Sequence, residues 1–281
     1  MKKNIILLLF LIIFIKPCFA IDWFAENNEE KAIKRVFNSQ LKYANRADFK
    51  KFIKTYSSDY VNADGFNLDI YSELVKNIWK TYDNIEYDLE IKNITIQGDK
   101  AIVESLETSF AWIDIANSYS GELKSESNLV YNLRKTESGW KITSEQVIDE
   151  FTSMLYGDAK DMQIKLNAPN KIESNKEYCA TLEFIPPENT FAIASIASDI
   201  VEYPQKPTKE VFRVFPEDNI LERLFTSNNQ NANEYVVASI GLTKASACNL
   251  DLKLSLTGFG YAIKRVNVIS NQNGVKNEQD K

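Results

Sequence analysis

Apolar residues recur at three- and four-residue spacing in three places along the first third of the chain. Ile33, Val36, Phe37, Leu41 and Ala44 mark one face between about Asn28 and Arg46, which predicts a helix buried on one side. Asp48 is suited to cap a second helix, whose Phe49, Phe52, Ile53 and Tyr56 repeat the spacing. Asn67 can cap a third, with Ile70, Leu74, Val75, Ile78, Trp79 and Tyr82 as its stripe. The period then changes to two. Ile85, Tyr87, Leu89 and Ile91 alternate with Glu86, Asp88, Glu90 and Lys92, the pattern of a half-buried strand. Turn signals at Gln97-Gly98-Asp99, Asn117 to Gly121 and Glu137-Ser138-Gly139 separate further strands at Ala101 to Ile115, about Glu122 to Arg134, and Trp140 to Ile148. Three successive reversals make an antiparallel meander that needs one face covered, and the helices are available to cover it. The first half is therefore α+β.

The second half is richer in short β runs. Gln163 to Leu166, Glu177 to Phe184, Phe191 to Val201, Glu210 to Phe215, Tyr235 to Leu242 and Leu250 to Ser270, broken near Gly258 and Gly260, predict an all-β sandwich over residues 162–270. Pro216-Glu217-Asp218 suggests one short helix through Leu221 to Phe225. The sandwich is immunoglobulin-like only loosely, because all four tryptophans lie in the first half. Tyr156 to Asp161 reads as a linker, which puts the first domain at residues 21–156. Residues 271–281 read as a polar, disordered tail.

Three fragments of the first half carry a resemblance: Tyr56-Ser57-Ser58-Asp59-Tyr60 after the second helix, Ile94 to Val103 across the first hairpin, and the ending Gly139-Trp140-Lys141-Ile142. In their order and spacing, residues of about 28 to 150 resemble the nuclear-transport-factor-two-like, or SnoaL-like, fold. That fold is a cone of three helices on a curved antiparallel sheet, and it hosts enzymes, binders and assembly domains alike. In its ketosteroid isomerases the pocket holds a carboxylate base and two hydrogen-bond donors. Carried onto this chain, the resemblance puts the base at Asp64 and one donor at Gln40, where the isomerases use tyrosine. The second donor, an aspartic acid there, falls on Leu129, which cannot donate. Asp64-Gly65 is also an ordinary turn dipeptide.

Period two on the last two strands of the meander groups Ser125, Ser127, Leu129 and Tyr131 on one face, and Trp140, Ile142, Ser144 and Gln146 on another. If these faces point inward, Gln40, Ser127, Tyr131 and Gln146 line a polar pocket without charge, walled by Tyr60 and Trp112. Such a pocket suits a small neutral ligand, although mutual packing of these polar groups accounts for them as well.

Composition narrows the chemistry. The 281 residues include no histidine, which excludes histidine-based triads and every histidine-containing zinc site. No glycine-rich phosphate loop is present, and neither a cofactor nor a metal is expected. Acidic and basic residues are interspersed at a net charge of −6, so nothing resembles a nucleic-acid stripe. Met1 to Ala20 has Lys2 and Lys3, an apolar run from Ile5 to Ile15, and Cys18-Phe19-Ala20 as a cleavage site. That is the pattern of a signal peptide, and it predicts an exported protein with no later membrane insertion. In an oxidising compartment Cys179 and Cys248 are expected to pair, the alternative being two separate thiols. The sequence thus predicts an exported, non-enzymatic protein that binds a small neutral ligand or a protein partner through its cone, with the β-sandwich as accessory. A homodimer through the open sheet is a further option. The rival is an isomerase, dehydratase or hydrolase with Asp64 as general base.

Overall fold

A computed structural model describes residues 28–115, 119–248 and 251–270. The segments expected to be a signal peptide and a tail lie outside the described residues. Helix α1 (Asn28–Ala44) turns Ile33, Phe37 and Gln40 inward, as its apolar spacing requires. Asp48 caps α2 (Phe49–Phe52), accepting from the Lys51 amide at 3.3 Å. This helix is shorter than its periodicity predicts. A 3-10 turn (Ile53–Thr55) ends it, and Tyr56 is already extended, bridging to Ile142. Asn67 caps α3 (Leu68–Thr81) through the Ile70 amide at 3.0 Å.

Four long antiparallel strands follow: β1 (Glu86–Gln97), β2 (Lys100–Ile115), β3 (Tyr119–Thr136) and β4 (Gly139–Gly157). The helices cover one face of this meander. Ile33, Phe37, Phe52, Tyr56 and Val75 pack with Val103, Tyr131, Leu133, Trp140 and Ile142 in a single core.

The remaining strands are β5 (Lys165–Asn167), β6 (Lys171–Glu173), β7 (Glu177–Glu183), β8 (Phe191–Ile200), β9 (Arg213–Val214), β10 (Ile220–Thr226), β11 (Glu234–Cys248) and β12 (Asp251–Ile269). Their arrangement departs from a meander followed by a separate sandwich. One nine-stranded sheet runs β1-β2-β3-β4-β12-β11-β8-β9, with β6 beside β12, because β4 continues past the cone and pairs with β12 from Phe151 to Gly157. A second sheet, β10-β7-β5, covers its far half over a core that includes Tyr178, Leu182, Ile196, Val236 and Val266.

The expected linker is a tight turn between the halves. Ala159 within it is fully buried, and a Cβ on Gly258 would stand 2.6 Å from the Ala159 nitrogen. Glycine is what lets the two backbones meet there. The helix expected through Leu221 to Phe225 is instead β10. Its residues pair with β7 and alternate, Leu221 buried and Leu224 exposed. Cys179 is exposed and free, against the expected bridge. It points outward on β7 between the buried Tyr178 and Ala180, whereas Cys248 ends β11 opposite Asp251, its side chain outside the described residues.

Candidate functional site

A cavity of about 350 Å³ lies between α1, α3 and the meander. Gln40, Asp64 and Tyr131 line it, as predicted. Trp112 does not: it is 51 % exposed on the outer side of β2, with the Lys160 ammonium 4.9 Å from its ring centre. Tyr60 is buried behind the wall, packed edge-on against Tyr56, and Leu129 is core. Ser127 is half-buried away from the cavity, and Gln146 is exposed.

Gln146 misses because β4 carries a bulge. Asn132 pairs with Ser144 but Leu133 pairs with Ile142, so Thr143 is an extra residue and the face reverses. Trp140 and Ile142 point inward before the bulge, Glu145 and Val147 after it. A glutamate therefore enters the pocket that the sequence predicts to be uncharged. A second acid reaches it from β2, where Ala101, Val103 and Ser105 face inward and Glu107 continues the alternation. That alternation is legible in the sequence itself.

The polar groups form a connected set. The Gln40 amide donates to Tyr56 Oη at 2.6 Å, and Tyr56 shares a hydrogen bond with Tyr71 Oη at 2.8 Å. Tyr131 donates to Glu107 at 2.5 Å while sitting opposite Glu145 across the β3–β4 ladder. The Tyr60 hydroxyl lies beside Glu145 without completing a hydrogen bond, and Gln40 Oε1 and Glu145 Oε2 are buried without partners. Burial, reinforced by the Glu107 charge, pushes the Glu145 carboxyl up to about 8. Burial also raises Glu107, against the lowering effect of its bonds from Tyr131 and Ser105. The burial therefore favours the protonated form of Glu145 at neutral pH.

Asp64 reaches the cavity on a turn held by Asn62, whose Oδ1 accepts from the Asp64 and Phe66 amides. The strand-like approach to this turn runs beside β4, with the Ala63 amide bonded to the Glu145 carbonyl at 2.9 Å. The second half of the chain closes on Asp64. Arg265 of β12 donates to its Oδ1 at 2.5 Å, and Asn233 to the same oxygen at 2.7 Å. Burial works against the Arg265 charge, and the hydrogen bond and charge of Asp64 more than offset it. Tyr235 and Val201 complete the wall, so the second half is part of the pocket. The expected base is committed to two donors. Nothing local in the sequence ties Arg265 or Asn233 to Asp64.

A wider groove of about 700 Å³ runs along β1 to β4 toward residues 160–164. Its walls mix Glu86, Glu122, Lys124 and Lys160, and among the described residues none of its buried side-chain atoms lacks a partner.

No protein-family model matches the chain, and no curated protein matches it. Solved structures do. One is a putative dehydratase from the NTF2-like family of Streptomyces avermitilis, at 13% identity and TM-score 0.38, over 43% of this chain and 97% of that one. Another is an LEH-like epoxide hydrolase of M. tuberculosis, at 15% identity and TM-score 0.30, over 42% of this chain and 81% of that one. A third is Bd1075 of Bdellovibrio bacteriovorus, at 18% identity and TM-score 0.35, of whose length this chain spans only 39%. The dehydratase and the epoxide hydrolase, neighbours of nuclear-transport-factor-two-like type, match the N-terminal part.

Proposed function

We propose that the protein binds a small organic molecule in the cavity between its helices and its sheet. The observation that carries this reading is a cavity of about 350 Å³ with two buried acceptors, Gln40 Oε1 and Glu145 Oε2, left without partners. Buried polar atoms are almost always satisfied, and a ligand in contact with both would satisfy them. Most of the remaining walls are apolar and aromatic, which suits a molecule with a hydrocarbon body. The test is a thermal-shift screen of a broad metabolite library against the wild type and Leu74→Trp, which fills the cavity from α3. A ligand at 100 times its dissociation constant stabilises by about 2.7 kcal/mol. The reading expects hits that Leu74→Trp abolishes; hits that bind both forms equally, or none at all, would contradict it.

A second reading, catalysis, is favoured by one feature. Burial favours the protonated form of Glu145 at neutral pH beside a second carboxyl group, the requirement for a general acid. Under this reading Glu145, not Asp64, donates the proton, and Glu145→Gln removes turnover while Asp64→Asn acts mainly on stability.

Export belongs to the same proposal. The mature N-terminus is expected at Ile21, read by intact mass of protein from the native host. Retention of Met1, or a lipid on Cys18, would exclude cleavage there.

A further inference from the structure

We infer that the ligand is a cation: a small amine whose apolar body lies on the aromatic walls and whose ammonium group meets Glu145 and Glu107. This rests on the cavity being a ligand site and adds the ligand's charge. Four carboxyl groups line the cavity, Asp64, Asp88, Glu107 and Glu145, against one cation, Arg265. Arg265 is cancelled by Asp64 at 2.5 Å. Asp88 is exposed at the rim, which leaves the buried Glu145 and the half-buried Glu107 without a counter-ion among the described residues.

The unsatisfied atoms point the same way. Gln40 Oε1 and Glu145 Oε2, on residues that line the cavity and are less than one-tenth exposed, are both acceptors, while the third unsatisfied group nearby, the Tyr60 hydroxyl, lies beside Glu145 behind the wall. Each acceptor needs a donor, and an ammonium group brings up to three and no acceptor. An anion brings acceptors rather than the donors these oxygens need, and no free positive charge awaits it among the described residues of the cavity. Arg265 offers it little, since Nη2 is held by Asp64 and Nε by Asn267. Phe52, Tyr71, Trp79, Tyr87, Tyr131 and Tyr235 supply ring faces and edges around the same space. A cation near such rings gains about 0.5–2 kcal/mol, most where water is excluded.

The titratable groups facing Glu145 are Tyr56, Tyr60, Asp64, Tyr71, Glu107, Tyr131 and Arg265. Burial drives the four tyrosines far up, so they stay neutral. A proton released when an ammonium group arrives therefore comes from Glu145 or Glu107. Amine binding and ionisation of these acids are coupled.

The test is calorimetry at pH 7 with phenethylamine, phenethyl alcohol and phenylacetate, run in two buffers of different ionisation heat. The expected result is that the amine binds at least tenfold more tightly than the alcohol, with proton release, and that phenylacetate does not bind. Glu145→Gln should weaken the amine at least tenfold and the alcohol less than threefold. Glu107→Gln gives the same comparison if the first variant does not fold. Alcohol binding equal to or tighter than the amine overturns the cation and leaves the ligand site standing. Silence of all three probes, with other hits from the library screen, does the same. Silence of the probes and the library together fails both.

Discussion

Arg265 donates from Nη2 to Asp64 Oδ1 at 2.5 Å, tying the last long strand to a turn 201 residues earlier. Both side chains are buried, at 1% and 9% exposure. The pair joins the two halves of the chain and sets one wall of the cavity.

Breaking it from one side strands a buried charge. Arg265→Leu is expected to lose about 3–5 kcal/mol in urea denaturation, as one-sided loss of a buried pair does. Arg265→Leu with Asp64→Asn should recover part of that loss, because neither charge then remains. A single-variant loss under about 1 kcal/mol would mean that the pair is hydrated and holds nothing together.

Stability should fall as the pH rises from about 5 to 8. Glu145 keeps its proton in the folded chain up to about 8 and loses it near 4.5 in the unfolded one. Between those values the native state binds more protons, so its advantage is full below 4.5 and lost as the pH climbs. One such group contributes at most about 1.4 kcal/mol per pH unit. Glu107 and Glu150, also raised by burial, act in the same direction. Glu145→Gln should flatten the profile and exceed the wild type in stability at pH 8. An unchanged slope would remove Glu145 as its source.

The bulge at Thr143 makes neighbouring positions unequal. Gln146→Ala should shift stability by less than about 0.5 kcal/mol, whereas Val147→Asp should cost at least about 2 kcal/mol by setting a charge against the core. Equal effects, read by chemical denaturation, would contradict the reversed face.

These particulars show what sequence reading reaches. The helical faces and the meander follow from local spacing, so Ile33, Phe37 and Gln40 were legible, as were the caps Asp48 and Asn67. Glu145 was not, because one extra residue reverses the alternation and nothing at Thr143 announces it. Leu221, Leu224 and Phe225 fall at helical spacing, yet pairing with β7 decides for strand. The Asp64 pair is a tertiary fact: its partner is named by the route of β12 through the sheet, which no local pattern encodes.

Central to the proposed site is the burial of the Glu145 carboxyl in the cavity. Its most direct test is the pH titration of the Glu145 side-chain carboxyl carbon by NMR in the ligand-free protein, assigned with Glu145→Gln. The predicted midpoint is about 8. A midpoint near 4.5, the value of a hydrated glutamate, would show water at the carboxylate and contradict the site described.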